Sequence, residues 1–247
     1  MEDLDNSARV DDIRRRIHGK PSLKRFYEEM YLEYERCLQR CPQAGIVLEI
    51  GSGAGFAKKI IPDLVTSDIL PYEGIDQIID GTKLPFADQT LRMICMMNVF
   101  HHIPDVESFL REAQRCLMPG GRVFIVDQHV GLLSNLILKY IHHEPFLPEA
   151  EEWKFKTKGP LSGANGALAW IVFVRDIILF RQLFPQLCLS RYEPHTPLRY
   201  WLIGGLKKWN LIPSWAYGLT KKLDHLLSRL SSSLCSFVYI EIKKEHM

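Results

Sequence analysis

The sequence predicts an α/β chain, a doubly wound and mostly parallel sheet with helices packed around it. Three observations carry that prediction. Short apolar runs alternate with helix-like segments between residues 46 and 128, the rhythm of a parallel sheet. The first run leads straight into three glycines at alternate positions, VLEIGSGAGF from Val47 to Phe56, the form of a strand that turns sharply and offers its backbone N–H groups to a ligand. The next two runs end in acids, Asp68 and Asp80, at the strand ends where open α/β sheets bind ligands.

The elements follow in order. Residues 8–41 are expected to be helical, because Leu23, Phe26, Tyr27, Met30, Tyr31 and Tyr34 recur at three- and four-residue spacing. Cys41-Pro42 ends that segment. Residues 46–50 are the first strand and 51–55 the glycine turn. Residues 56–61 begin a short helix that Pro62 limits. Strands follow at 64–69, 76–79 and 91–98. Residues 70–74 alone separate the second strand from the third, so that crossover lacks its helix. Residues 104–117 are expected as a helix, Pro119-Gly120-Gly121 as a tight turn and residues 122–127 as the fifth strand.

Beyond Asp127 the alternation breaks. Residues 130–174 contain YIHHEPFLPEAEEWKF and the loop KTKGPLSGANGA, expected as a cap inserted over one end of the sheet. A helix at 175–184 and strands at 187–193 and 237–243 follow, with an apolar, basic, partly helical stretch between the two strands. The expected organisation is a single domain, with an N-terminal helical lid at 1–42, a ligand-binding core at 43–129, the cap at 130–174 and the C-terminal half of the sheet at 175–247.

Composition narrows the classes. With 247 residues, 47% hydrophobic and 24% charged, the chain is an ordinary globular one with enough length for a large core. A formal net charge of +2 argues against binding polyanions by bulk charge, and there is no extended basic stripe or recognisable nucleic-acid module, so no nucleic-acid partner is expected. Charge is uneven, though: from Arg191 onward nine Lys/Arg face four Asp/Glu. The six cysteines form no CxxC pair, which fits a reduced inventory. MEDLDNSARVDDIRRR lacks the apolar centre of a signal peptide, and no apolar run reaches the length of a membrane span. A cytoplasmic protein is expected, with a possible place at the inner face of the membrane.

Two ligand classes use a strand that runs into a glycine turn. A dinucleotide site wants its third glycine where Phe56 stands, and a phenyl ring there crowds the helix–strand contact. A cationic ligand instead wants an acid just ahead of the turn, and Glu49 occupies that position. The segment Glu49-Ile50-Gly51-Ser52-Gly53-Ala54-Gly55 resembles the first motif of the class I, seven-stranded S-adenosylmethionine (SAM)-dependent methyltransferases, acid-x-Gly-x-Gly-x-Gly. The resemblance continues in order through Asp68, through Asp80-Gly81 with Leu84-Pro85-Phe86, through Asn98-Val99-Phe100-His101-His102, and through Arg111-Glu112-Ala113 to Leu117-Met118-Pro119-Gly120-Gly121. It covers roughly residues 46–128, and the His-His segment is similar to the type 11 subfamily that contains the ubiquinone/menaquinone-type enzymes.

The resemblance implies the strand order 3-2-1-4-5-7-6 and SAM as cofactor, with S-adenosylhomocysteine as its product. It implies that Glu49, Gly51, Ser52, Gly53 and Gly55 border the methionine end, that Asp68 holds the ribose hydroxyls, and that Asp80 and Gly81 meet the adenine. Asn98 belongs to the same set, and Tyr27 and Tyr31 close over the cofactor or simply pack in the core. Two departures stand out. Leu91-Arg92 replaces the family's Phe-Asp, and the missing helix after the second strand shortens the adenine wall, where Tyr72 is expected to stack instead.

If the methyl acceptor is a hydroxyl, a general base is useful. His101, His102, Asp127 and His129 are the candidates, at the ends of strands four and five. His142, His143 and Glu144 in the cap are candidates for contacting the acceptor; no metal is expected, since neighbouring histidines on a helix point apart. The C-terminal stretch interleaves Trp201, Trp209, Trp215 and Tyr217 with Lys207, Lys208, Lys221 and Lys222, which suits either a crossover helix with a solvated face or peripheral contact with anionic lipid. The expected function is methyl transfer from SAM to a small-molecule, lipid or glycan acceptor. The pattern is also similar to bacterial methyltransferases associated with surface-polysaccharide synthesis. The competing readings are a non-catalytic SAM-binding module of the same fold and a nicotinamide oxidoreductase, the latter disfavoured by Phe56.

Overall fold

The computed structural model describes residues 9–140, 144–159 and 163–246. Its helices are α1 (Arg9–Gly19), α2 (Pro21–Leu38), α3 (Val106–Cys116), α4 (Leu132–Tyr140), α5 (Leu168–Trp170), α6 (Ile177–Leu183), α7 (Arg199–Leu202) and α8 (Tyr217–Leu230). Its strands are β1 (Ile46–Ile50), β2 (Leu64–Asp68), β3 (Gln77–Ile78), β4 (Leu91–Met97), β5 (Leu117–Gln128), β6 (Leu187–His195) and β7 (Phe237–Lys244). They form one sheet in the order β3-β2-β1-β4-β5-β7-β6. β7 runs antiparallel to both β5 and β6, and the other pairs are parallel.

Both faces of the sheet are covered, which is why its strands are apolar throughout rather than alternating. Successive residues serve opposite layers. Val47, Met93, Cys95, Phe124 and Val126 pack under α1 and α2, while Leu48, Ile94, Met96, Val123 and Ile125 pack under α3 and the α5–α6 segment. Burial of side chains such as Phe109, Phe124, Phe173 and Phe180 supplies the main stabilisation, about 1.5–3 kcal/mol for each large apolar group.

The structure corrects several boundaries. The helical segment 8–41 is two helices, broken where Lys20 adopts an extended conformation ahead of Pro21, which opens α2. After the glycine turn there is a single 3-10 turn, Ala57–Lys59, rather than a helix. β3 has two residues, and the link before it carries no helix, as expected. The Pro119-Gly120-Gly121 turn lies inside β5: the pairing with β4 passes from Leu91↔Leu117 to Met93↔Arg122, and the residues between them bulge out. Residues 167–173, grouped with the cap on sequence, are buried in the core on the α3 side apart from half-buried Trp170, together with Trp153.

The Glu112-x-x-Arg115 pair has a structural task. Arg115 donates to the carbonyls of Leu84 (3.1 Å) and Phe86 (2.8 Å), and Glu112 accepts the Leu84 N–H at 2.9 Å. Together they hold the Leu84-Pro85-Phe86 segment against α3. Arg92 donates to the Gln43 carbonyl at 2.7 Å, at the start of β4 and far from the strand ends that face ligands.

At the α1–α2 junction, four carbonyls of one loop surround Lys20 Nζ and share its three N–H groups: Ile203 (3.2 Å), Gly205 (3.1 Å), Lys207 (2.5 Å) and Trp209 (2.7 Å). Arg16 donates to Leu206 O at 2.9 Å beside them. The N-terminal helices and the loop after α7 are therefore fastened together over the sheet. No helix among the described residues is long and apolar enough to cross a membrane.

Candidate active site

A cavity of about 310 Å³ opens at the C-terminal ends of β1, β2 and β4, where the strand order switches direction and open α/β sheets bind ligands. The glycine turn forms its floor. Gly51 has φ +68°, and a Cβ there would lie 2.3 Å from Val99 Cγ2. At Gly55 a Cβ would meet Tyr31 Oη at 2.6 Å and the Ser52 carbonyl at 2.8 Å. The third glycine thus lets α2 sit against the turn, with Tyr31 Oη accepting the Phe56 N–H at 3.4 Å. Phe56 packs beside Tyr27 and Tyr31, filling the contact that a dinucleotide fold reserves for glycine.

Three acids border this floor. Glu49 is buried, and burial pushes its carboxyl up to about 7 against the hydrogen bond from Ser52. Its Oε2 has no hydrogen-bond partner among the described residues. Asp68 accepts the Gly53 N–H at 3.0 Å and the Leu70 N–H at 3.3 Å, and burial raises its carboxyl. Each of its oxygens keeps a lone pair for a further donor. Asp80 is exposed at the rim, where its Oδ1 accepts from both the N–H (2.8 Å) and the hydroxyl (2.7 Å) of Thr82. Gly81 lines the cavity next to it, and so does Asn98, held at φ +55° with its N–H donated to Val126 O at 2.8 Å. Asn tolerates that left-handed conformation better than most residues.

His101 and His102 turn toward one another at the cavity wall, with ring centroids 4.2 Å apart. His101 Nδ1 lies 2.6 Å from Asp127 Oδ1, and its backbone N–H donates to Asp127 Oδ2 at 3.2 Å. Its Nε2 lies 3.4 Å from Glu144 Oε2. Burial opposes a charge on His101, but the carboxylates of Asp127 and Glu144 overcome it and push the imidazole up to about 10. His102 has the opposite balance. Burial and the neighbouring charge of His101 push it down to about 4. Its Nδ1 donates to the Gly163 carbonyl at 2.9 Å, which can only accept, so the lone pair sits on Nε2, 3.7 Å from Glu144 Oε1.

The ligand atoms of His101, His102 and Glu144 lie within 4.8 Å of one another. The donor set suits a divalent ion and suits proton exchange equally. Of the expected cap residues, Glu144 lines the cavity, while His142 and His143 lie outside the described residues. The cap is fastened here by Asn165, whose N–H donates to His101 O at 2.9 Å and whose side chain bonds both backbone groups of Leu147.

His129 is placed differently from His101 and His102. It does not line the cavity; it is buried one residue past β5, its Nδ1 lies 3.1 Å from Tyr192 Oη, and burial pushes it down to about 4. Gln128 faces the cavity in its place. Its Oε1 is buried without a hydrogen-bond partner among the described residues.

Sequence reasoning also missed the upper wall. Val10, Ile13 and Ile17 of α1, with Tyr200, Leu206 and Phe237, close the cavity above Tyr27 and Tyr31. The α1 residues recur at three- and four-residue spacing, a signal that was present but was absorbed into a generic helix. Tyr72 lines the cavity near Asp68, where stacking was expected. The glycine cradle, the unpartnered Glu49 oxygen and the strand-end acids fit an elongated ligand that carries a cation at one end and a diol farther along.

A profile of the family described as methyltransferase domain matches residues 23–157, more than half of the chain. Over 56 residues the chain is 41% identical to the ubiquinone/menaquinone biosynthesis C-methyltransferase UbiE of Desulfotalea psychrophila, covering 22% of this chain and 23% of that one. Over 64 residues it is 33% identical to the chloroplastic tocopherol O-methyltransferase of Arabidopsis thaliana, covering 26% of this chain and 18% of that one. The matched stretches span less than a quarter of the length of these relatives. Among solved structures, a chain of the complex between the Haloferax volcanii Trm112 methyltransferase activator and a methyltransferase superposes with a TM-score of 0.52 at 14% identity. That superposition covers 95% of this chain and 98% of the other, a likeness of fold.

Proposed function

The chain belongs to the methyltransferase domain family, whose class I members share this sheet order, and from that premise we propose that it is a SAM-dependent methyltransferase acting on a small-molecule acceptor. The observation that carries the proposal is the buried, unpartnered oxygen of Glu49 beside the glycine turn. A buried carboxylate is costly unless a cation or donor reaches it, and the amino group of SAM is such a partner. Gly51, Ser52, Gly53 and Gly55 would border the same end of the cofactor. Asp68 would accept the ribose hydroxyls, Asp80 and Gly81 would meet the base, and Asn98, Tyr27 and Tyr31 would complete the enclosure. When bound, SAM supplies a methyl group already activated on sulfur, so the protein's main contribution is alignment and exclusion of water.

The acceptor side is amphipathic. Tyr200, Leu206 and Phe237 offer apolar surface, and His101, His102, Gln128 and Glu144 offer polar groups. We assign the acceptor to small molecules with an apolar body, with a lipid or lipid-linked glycan at a membrane surface as the finer choice. The relatives named for ubiquinone/menaquinone and for tocopherol support the small-molecule class. His102, with its accepting Nε2 beside Glu144, is the group placed to take a proton from an acceptor hydroxyl. His101 already holds its second proton between two carboxylates and acts in positioning. Arg92, one reason to entertain a non-catalytic relative, is bonded to Gln43 away from the cavity and gives that reading no support.

Calorimetric titration with SAM and S-adenosylhomocysteine, on the wild-type protein and on Asp68→Ala, tests the proposal. Micromolar binding that weakens at least about tenfold in the variant is expected, as for loss of hydrogen bonds to a charged group. A folded wild-type protein that binds neither compound overturns it, and binding without turnover of any amphipathic acceptor favours the non-catalytic relative.

A further inference from the structure

Helix α8 is built inside out. A helix lying on a soluble protein turns its apolar face to the core and its charges to water. The buried residues of α8 are Tyr217 and Asp224. Asp224 accepts the backbone N–H groups of Leu198 (2.8 Å) and Arg199 (3.2 Å), which fixes the helix to the chain end that opens α7. Arg199 in turn donates to Glu29 of α2 at 2.8 Å, and Lys221 lies 2.9 Å from the same carboxylate. Polar anchors hold the helix in place, and its leucines face outward.

Leu219, Leu223, Leu226 and Leu230 recur at four-, three- and four-residue spacing, so they form one stripe along the helix. They are 42–70% exposed, and Trp215, one turn earlier on the same line, is 78% exposed. Leu211 precedes them, also exposed. At the far end α4 packs on Ser232–Leu234 and presents Leu132 and Leu136 to solvent. Scattered exposed leucines are ordinary, but a continuous stripe of this kind marks an interaction surface.

Charge identifies the occupant. Between residues 198 and 236 there are six Lys/Arg and a single acid, the buried Asp224. Arg199 and Lys221 are spent on Glu29. Lys222 and Arg229 are exposed along one border of the leucine stripe, and Lys207 and Lys208 are exposed beside Trp209. A second copy of the chain seated across a two-fold axis would set these cations against themselves, with no exposed acid in the stretch to answer them. An apolar stripe with a basic border and Trp at its edge fits the headgroup region of an anionic bilayer.

We propose that α8, with the 209–215 loop and the exposed end of α4, is the surface by which this protein docks on anionic membranes. The surface adjoins the cavity, because Leu206, in the loop that leads into it, lines the upper wall. The inference deepens the reading of an amphipathic acceptor and rests on it only for where that acceptor is met; lipid binding itself needs no turnover.

The test is co-flotation of the full chain with vesicles of phosphatidylcholine alone and of phosphatidylcholine mixed with phosphatidylglycerol. It is run on the wild type, on Leu226→Glu/Leu230→Glu and on Lys222→Glu/Arg229→Glu, with SAM calorimetry on the same preparations. Expected are salt-sensitive binding to the anionic vesicles and a loss of more than about tenfold in each double variant, since one replaces two apolar anchors by acids and the other reverses two cations beside the anionic surface. SAM binding stays unchanged, because none of the four residues lines the cavity. Wild type that binds SAM but not anionic vesicles at low salt overturns the proposal. So does vesicle binding indifferent to both pairs of substitutions, or a solution dimer without vesicle binding that Leu226→Glu/Leu230→Glu converts to monomer. Failure of SAM binding alone counts against the methyltransferase reading and leaves the docking result standing.

Discussion

His101 Nδ1 and Asp127 Oδ1 meet at 2.6 Å, one just beyond the end of β4 and the other at the second-last residue of β5, and both side chains are withdrawn from solvent. The pair holds a proton that the unfolded chain releases near its ordinary value. A histidine raised to about 10 when folded contributes stability that is fully present below about pH 6.5 and is lost as pH rises through about 10. His102, lowered to about 4, contributes in the other sense: its share is present above about pH 6.5 and is lost as pH falls through about 4. His101→Asn is therefore expected to flatten the alkaline decline relative to wild type, by up to roughly 1.4 kcal/mol per pH unit. His102→Asn is expected to flatten the acid decline. Urea unfolding across the pH range checks both, and identical alkaline slopes for wild type and His101→Asn refute the proton assignment.

Affinity for the cofactor should depend on the ionisation of Glu49. Its carboxyl is pushed up to about 7 by burial, whereas a cation at Oε2 requires the carboxylate. Binding of SAM is expected to weaken as pH falls below about 7, approaching about tenfold per unit at the limit. Glu49→Gln should bind poorly and without that slope. Titrations between about pH 5 and about pH 7 decide it; a wild-type affinity that is flat over this window removes Glu49 from the amino-group contact.

The third glycine of the turn is a packing device, which mutation can show. Gly55→Ala drives a methyl against Tyr31 Oη and the Ser52 carbonyl and is expected to cost about 1–3 kcal/mol of stability, as overpacking does. Adding Tyr31→Phe removes one of the two obstacles and should recover part of the loss. A double-mutant cycle on thermal unfolding measures that coupling, and strict additivity would place the strain elsewhere.

The local motifs were legible because each is a short piece of chain whose chemistry is complete in itself. An apolar strand, a glycine turn and an acid at a strand end need no distant partner to be recognised, and Glu49, Asp68, Asp80, His101 and His102 all line the cavity. The roof was illegible because Ile17, Tyr200 and Phe237 meet only through tertiary packing across most of the chain. His129 lies off the cavity for a finer reason. Successive residues of a strand face opposite sides, and at the end of β5 the cavity falls to Gln128. The leucines of α8 follow helical spacing, but the outward direction of their stripe is set by buried Asp224, and no local pattern distinguishes that acid from a solvated one.

Gln128 offers a trade between stability and function. Its buried Oε1 lacks a partner, which costs about 1–3 kcal/mol when nothing fills the role. Gln128→Leu is expected to raise the stability of the free protein by about 1 kcal/mol, within the usual range for relieving such a group, and to raise the KM for the acceptor while leaving SAM affinity intact. Differential scanning calorimetry with calorimetric titration separates the two effects. A destabilised variant with normal acceptor kinetics contradicts the assignment of Gln128 to the acceptor.

Lys20 gathers four carbonyls of the 203–209 loop, and so the cover of the cavity is hinged as one plate. Neither α1 nor the loop can swing aside alone without stranding a cation or several carbonyls. Exchange of a ligand would then call for a joint movement whose outer edge, Trp209, borders the proposed lipid-facing stripe. On the proposed docking, seating on a bilayer and opening of the vault would share a moving part, through which a membrane would set the pace of exchange.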